Sequence, residues 1–327
     1  MLKWVYKSGT LLQFTLYTVF MAVLWIPAFV NPVTPVHTIS DGPLYTLFLS
    51  WLQPYPFLPI AAGLFLILVQ SVVLFYIYQS NGFFGRSNFL PAIIIMMAYS
   101  WDPHYLTMHA LLPAGIFSII ALNSILSMYG KQDAYHQVFT AGLSIGIAAL
   151  FYVPLAFLLL LIWFTLITYR ISSWREYVIS VIGFSIPFIY FISWLFWNDN
   201  FTVGLEQIHH SLINVILPPR IPLIPTIWLS VSALIMILAM VAVLNSVSDK
   251  VISIRRRVWV LFNFSFTALL GTLLAGWPIL SANYIFVIPM SFFLTGSLVM
   301  KKNKFWFEIL ATAYFSLLIV MRLYVAL

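Results

Sequence analysis

Residues 57–104 read FLPIAAGLFLILVQSVVLFYIYQSNGFFGRSNFLPAIIIMMAYSWDPH, and this stretch decides the fold. It holds two apolar runs, 57–78 and 88–101, separated by a short polar segment that carries Arg86. An apolar run of about 20 residues can cross a bilayer as an α-helix, and a shorter one needs neighbours to shield its ends. The stretch therefore predicts two adjacent membrane helices. A basic turn joins them at one surface, and an Asp-Pro-His sequence follows at the other.

The same pattern extends over the whole chain, in which 63% of the 327 residues are hydrophobic and 7% are charged. This composition is typical of a polytopic membrane protein and excludes a soluble globular domain. We predict an all-α protein with about eleven transmembrane helices in one transmembrane domain, residues 1–327. The predicted spans are 11–30, 57–78, 88–101, 110–128, 138–152, 154–169, 177–197, 226–247, 258–275, 283–300 and 305–326.

The basic residues predict how these helices are oriented. With the N-terminus in the cytoplasm, thirteen of the fifteen Lys and Arg residues fall in cytoplasmic segments, and only Arg220 and Arg322 lie outside. Lys and Arg favour the cytoplasmic side of a membrane, so the sequence predicts the N-terminus inside and the C-terminus outside. The cluster Arg255-Arg256-Arg257 is interpreted as a topology signal that contacts anionic headgroups. The net charge of +7 therefore does not indicate a nucleic-acid partner.

Two outer segments, 31–56 and 198–225, predict helices that lie in the membrane interface. Each carries apolar residues at helical spacing, as expected for an amphipathic interfacial helix. These residues are Leu44, Leu47, Phe48 and Trp51 in the first segment, and Phe201, Leu205, Ile208, Leu212 and Ile216 in the second. Together the two helices would wall a groove that opens towards lipid.

The outer ionisable residues are the candidates for chemistry, because five of the six histidines and half of the acids fall on this side. Carboxylates and imidazoles at one surface can act as a general base, as ligands of a divalent metal, or as partners of a cationic substrate. The candidates are His37, Asp41, Asp102, His104, His109, Asp199, Glu206, His209 and His210. Of these, Glu206, His209 and His210 have the i, i+3, i+4 spacing of metal ligands.

Each candidate also has a purely structural interpretation. Asp41 lies two residues before a proline and Asp102 immediately before one, so both fit the N-cap of a helix. The histidines at 104 and 109 fit simple exposure at the membrane interface. The group at 206–210 fits the solvated face of an interfacial helix. The sequence leaves these alternatives open.

Arg220 is the only basic residue within an outer loop, and it lies in the stiff sequence Pro-Pro-Arg-Ile-Pro. A guanidinium group holds phosphate through two parallel hydrogen bonds. Arg220 is therefore a candidate for binding the phosphate of a lipid-linked substrate, and its alternative role is that of an interface anchor.

The chain contains no cysteine, which excludes disulfides, a thiolate nucleophile and Cys-ligated metals.

Parts of the sequence resemble a known family. Residues 89–104, FLPAIIIMMAYSWDPH, followed by Leu111-Leu112-Pro113, resemble the third and fourth spans of the polytopic GT-C glycosyltransferases. Residues 141–169 resemble their fifth and sixth spans, and the resemblance covers about residues 1–200. It implies a GT-C-like bundle, followed by the outer amphipathic loop 198–225 and the C-terminal helices of 226–327.

The resemblance also implies an activity and its residues. GT-C enzymes carry a catalytic acid in the first outer loop, which corresponds to Asp41, and further outer acids or histidines, which correspond to Asp102 and His104. Arg220 corresponds to the basic residue that binds the lipid phosphate. The implied donor is a polyprenyl-phosphate-linked sugar, used on the periplasmic face of the bacterial inner membrane for cell-envelope glycan assembly. Such a donor explains why no nucleotide-binding motif is present.

The sequence departs from the GT-C pattern in two ways. Its first outer loop has one acid where many GT-C enzymes have a pair, and we expect no large soluble C-terminal domain like that of some GT-C enzymes. These departures motivate an alternative: a non-catalytic scaffold or lipid-binding subunit of an envelope complex with protein partners. The whole chain also resembles a family of bacterial inner-membrane proteins, which implies no activity. A divalent metal is compatible with the carboxylate and imidazole candidates, and the sequence names no other cofactor.

Overall fold

A computed structural model describes residues 10–35, 41–83, 89–100, 105–171, 173–199, 201, 223–247, 250–274 and 279–300, and five further positions between 312 and 320. Within these ranges the chain is helical and forms no strand, so the predicted all-α class is confirmed for the described residues. The last predicted span, 305–326, and the predicted interfacial helix of 198–225 lie largely outside them.

The helices follow the predicted spans to within a few residues. They are α1 (Thr10–Val30), α2 (Pro43–Leu52), α3 (Leu58–Ser80), α4 (Leu90–Tyr99), α5 (Leu111–Leu126), α6 (Tyr135–Phe151), a 3₁₀ helix (Val153–Leu158), α7 (Leu159–Tyr169), α8 (Trp174–Trp197), α9 (Leu223–Val247), α10 (Ile252–Leu274) and α11 (Ile279–Met300).

Four helices in the described part of the chain are long and apolar enough to cross a membrane. They are α3, α8, the segment Leu12–Val30 of α1 and the segment Ser230–Val247 of α9. The helices α4 to α7 are apolar but shorter. The predicted count of about eleven spans goes beyond these four helices and stays a prediction.

The short helix α4 is enclosed by its neighbours, and α1 forms a hydrogen bond at each of its ends. All ten residues of α4 are buried. The backbone N–H of Phe89 donates to Gln13 Oε1 over 2.7 Å, and Trp25 Nε1 donates to Ser100 Oγ over 3.0 Å. Buried helix ends need such partners because no water reaches them. Since Gln13 precedes Trp25 along α1 just as Phe89 precedes Ser100, α1 and α4 run in the same direction.

Glycines let α6 and α8 pack backbone against backbone. A Cβ at Gly142 would overlap the carbonyl oxygen of Ser180, and a Cβ at Gly146 would lie 2.5 Å from the carbonyl oxygen of Phe184. On the facing helix, a Cβ at Gly183 would lie 2.6 Å from the carbonyl oxygen of Phe139. Small residues at a spacing of four, as at Gly142 and Gly146, allow such a close approach between helices.

The first interfacial helix exists as α2, but its buried side differs from the prediction. Tyr45 and Leu49 are fully buried against the bundle. Leu44 and Leu47 are half-buried against the C-terminal ends of α6 and α8, and Trp51 is 78% exposed. The predicted apolar stripe of α2, which runs from Leu44 to Trp51, therefore lies next to the face that packs onto the bundle and not on it. The periodicity marked apolar positions, but it could not show which of them the neighbouring helices cover.

The connections between helices meet at two ends of the bundle. At one end, Arg257 Nη1 donates to the carbonyl oxygen of Asn81 over 2.8 Å, and Arg256 Nη1 donates to that of Tyr169 over 3.3 Å. At the other end, the segment that precedes α2 contacts the end of α6. Segments that the sequence assigns to the same membrane side thus lie at the same end of the bundle.

Gly142→Leu is expected to lower the stability of the purified protein by about 1–3 kcal/mol or more, because the side chain would overlap the backbone of α8. Thermal unfolding in detergent measures this loss. Ser193→Leu places the same side chain on an exposed position of α8 and serves as the control. Equal melting temperatures for the two variants would contradict the packing of α6 on α8.

Candidate functional site

Asp41 is held at the point where α6 ends. Its backbone forms an isolated antiparallel bridge with Tyr152. The next residue, Gly42, donates its N–H to the carbonyl oxygen of Phe151 over 2.8 Å. The Asp41 side chain is half-buried. We call the region formed by residues 41–45, 108–109 and 151–152 the Asp41 junction.

The end of α6 before Pro154 leaves free the acceptor that holds this segment. Pro154 lies in the first turn of the 3₁₀ helix, and Tyr152, two residues earlier, adopts extended backbone angles, φ −143° and ψ 101°. Proline has no N–H, so it cannot donate to the carbonyl group four residues earlier as a continued α-helix requires. The helix α6 stops at Phe151, and the N–H of Leu155 donates to the carbonyl oxygen of Tyr152. The carbonyl oxygen of Phe151 accepts from the first outer loop.

Gly42 leaves no room for a side chain at this contact. A Cβ there would overlap the carbonyl oxygen of Leu150 and lie 2.9 Å from the carbonyl carbon of Phe151. Gly42 is also the N-cap of α2, and its carbonyl oxygen accepts from the N–H groups of Tyr45 and Thr46 over 3.1 and 3.4 Å. The interpretation of Asp41 as the N-cap is therefore wrong, because α2 begins after Gly42.

Tyr45 joins the first outer loop to the second. Its side chain is fully buried, and its hydroxyl donates to the carbonyl oxygen of Met108 over 3.0 Å. Burial and, to a smaller extent, the negative charge of Asp41 raise the pKa of Tyr45 well above its usual value. Tyr45 therefore remains protonated at neutral pH, and the Asp41 carboxylate lies close enough to act on it.

His109 follows Met108 and is buried, whereas the sequence favoured an exposed interfacial histidine. It is 3% exposed, and its ring packs edge-on against Tyr105 with the centroids 5.5 Å apart. Burial lowers the pKa of His109 to about 3, so its imidazole is neutral at physiological pH. The expectation of simple exposure is wrong for this residue. Interface position alone could not show that the second outer loop folds back onto the bundle.

The structure describes three of the candidate residues: the half-buried Asp41, the buried His109 and the exposed Asp199. The others lie outside the described residues, and they are His37, Asp102, His104, Glu206, His209, His210 and Arg220. The contact between Tyr45 and Met108 brings the described part of the second outer loop, residues 105–110, against the first. Among the described residues, no group of three or more His, Asp and Glu side chains could hold a metal ion.

Two features of the junction were not predicted from the sequence. Tyr45 lies four residues after Asp41 in the same loop, but no pattern marked it as a site residue. His109 was a candidate for chemistry, but it was expected to be exposed. Both owe their place to a contact between segments 63 residues apart, which no local pattern encodes.

Comparisons with protein-family models, with curated proteins and with solved structures gave no match.

Gly42→Ala is expected to destabilise the protein by about 1–3 kcal/mol, because a methyl group would push the first outer loop off the end of α6. The melting temperature of the purified variant tests this. Ser50→Ala, at an exposed position of α2, is the matched control and should unfold like the wild type. A Gly42→Ala protein as stable as Ser50→Ala would show that the junction tolerates a side chain there.

Proposed function

We propose that the chain is a polytopic protein of the bacterial inner membrane with about eleven spans and a cytoplasmic N-terminus. The distribution of the basic residues supports this orientation, since thirteen of fifteen fall on one side. The contacts within the bundle are compatible with it. They join Asn81 to Arg257 at one end, and Gly42 to Phe151 at the other.

The absence of cysteine makes this topology simple to test, because an introduced thiol would be the only one in the chain. Lys131 and Asp199 are both exposed, and we assign them to opposite sides of the membrane. In intact cells with a permeabilised outer membrane, a membrane-impermeant maleimide should label Asp199→Cys but not Lys131→Cys. Disruption of the inner membrane should make both react. The opposite labelling pattern would invert the topology.

We propose that the protein is a GT-C-type glycosyltransferase that uses a polyprenyl-phosphate-linked sugar on the periplasmic face. The observation that carries this proposal is the fixed position of Asp41. Its backbone is bridged to Tyr152, and the residue as a whole is half-buried. A general base must be held within reach of the proton that it accepts, and a base on a rigid frame is better positioned than one on a free loop.

The reaction needs one base and one phosphate-binding residue. Asp41 would accept the proton of the acceptor hydroxyl group as the acceptor oxygen forms its bond to the anomeric carbon. The bond between that carbon and the phosphate oxygen breaks, and polyprenyl phosphate leaves with the electron pair. Arg220 would hold the leaving phosphate through its guanidinium group. Asp102 and His104, or His37 and the group at 206–210, would orient the acceptor or a divalent metal.

Asp41→Asn and Arg220→Ala are expected to abolish complementation of a deletion strain and to remove one envelope glycan, while both proteins reach wild-type levels in the membrane. Loss of a general base typically costs about 10²- to 10⁴-fold in rate. Glycan profiling with immunoblotting of membranes measures both quantities.

Asp199→Asn is the matched control for this experiment. Asp199 is an exposed acid with a positive φ of 54°, a conformation that asparagine tolerates well. This variant should keep full activity. If Asp41→Asn and Arg220→Ala also keep full activity, the transferase mechanism fails, and the non-catalytic scaffold or lipid-binding subunit becomes the better assignment.

A further inference from the structure

The end of the bundle opposite the Asp41 junction holds a second set of polar side chains that the proposed transferase does not use. Arg256 and Arg257 lie in the first turns of α10. They meet Tyr129, which follows α5, and Tyr169, which is the last residue of α7. We call these four residues the arginine–tyrosine cluster.

The two guanidinium groups are held in place from several sides. Arg257 donates to the carbonyl oxygen of Asn81 over 2.8 Å, and Arg256 donates to that of Tyr169 over 3.3 Å. Their guanidinium carbons lie 5.7 and 6.0 Å from the centre of the Tyr129 ring. The rings of Tyr129 and Tyr169 pack edge to face, with their centroids 5.4 Å apart. Two positive charges are thus fixed beside one pair of aromatic rings.

Helix capping explains only part of this arrangement. Each arginine donates to a carbonyl group at the end of a helix, α3 for Arg257 and α7 for Arg256, which is a common role for a basic residue. However, the Tyr169 hydroxyl and Arg257 Nε are buried and have no hydrogen-bond partner. Tyr169 is 6% exposed, and both guanidinium charges act on its hydroxyl group. Buried polar groups without partners are rare and call for a ligand or another explanation.

We propose that the arginine–tyrosine cluster binds the phosphate group of an anionic membrane lipid. Arginine matches phosphate oxygens with planar pairs of N–H donors, and the Tyr169 hydroxyl supplies a further donor. The cluster lies where α3, α5 and α7 end and α10 begins, which is the headgroup level of a membrane-spanning bundle. Basic pockets between helices at this level bind lipid headgroups. The site is independent of the proposed transferase activity.

The test uses the full-length protein, delipidated in dodecyl maltoside, and titrates it with phosphatidylglycerol. Thermal unfolding and native mass spectrometry report stabilisation and bound lipid. Phosphatidylglycerol should raise the melting temperature of the wild type, and Arg257→Ala should lose this rise. Arg255→Ala removes the same charge from an exposed neighbour, and it should respond like the wild type. An equal loss in Arg255→Ala would overturn the proposal, because general charge attraction would then explain the binding.

Tyr169→Phe provides the decisive variant, because it removes only a hydroxyl group that has no partner within the protein. Without lipid it should be as stable as the wild type, and it should need about tenfold more phosphatidylglycerol for the same stabilisation. A wild-type titration curve for Tyr169→Phe would overturn the site even if Arg257→Ala fails to fold.

Two further arms identify the source of the phosphate. Phosphatidylcholine, which has no net charge, should stabilise the protein far less than phosphatidylglycerol, and equal stabilisation would contradict recognition of an anionic lipid. Sodium phosphate, compared with sodium chloride at the same ionic strength, should have no effect at concentrations at which phosphatidylglycerol saturates. Stabilisation by sodium phosphate in that range would overturn the lipid assignment in favour of a soluble phosphate ligand.

Discussion

The need to pair every backbone polar group inside a membrane is the constraint on which the rest of this structure depends. Several helices are too short to end in water on both sides, so their ends find partners within the bundle. The side chain of Gln13 accepts a hydrogen bond from the N–H of Phe89, just before α4. The N–H of Gly42 donates to the last carbonyl group of α6. The second pairing fixes the loop that carries Asp41 to the end of α6, just before Pro154.

Between helices in lipid, close packing provides the driving force for association that the hydrophobic effect does not provide. Lipid tails are as apolar as the side chains of the spans, so helix association depends on van der Waals contact and on hydrogen bonds between helices. The glycines Gly142, Gly146 and Gly183 bring α6 and α8 into backbone contact. This contact holds the outer end of α6 in place, and with it the acceptor to which Gly42 binds. The position of Asp41 therefore rests on a helix pair that lies mostly away from it.

The sequence predicted the helices well and their contacts poorly. Hydropathy placed the spans 57–78 and 88–101, and the structure has helices at Leu58–Ser80 and Leu90–Tyr99. Neither the N-cap of α2, nor the burial of His109, nor the arginine–tyrosine cluster could be predicted, because each depends on segments far apart in the chain. The positive-inside rule already explains three consecutive arginines in a predicted cytoplasmic segment. The sequence therefore gave no reason to expect that two of them pack against tyrosine rings.

The Asp41 junction places the ionisable side chains of Tyr45 and His109 in buried positions. Burial raises the pKa of the tyrosine and lowers that of the imidazole, so both groups favour their uncharged forms. Neither shift could be predicted from the sequence, because the burial goes with a contact between Tyr45 and Met108, which lie 63 residues apart in the chain.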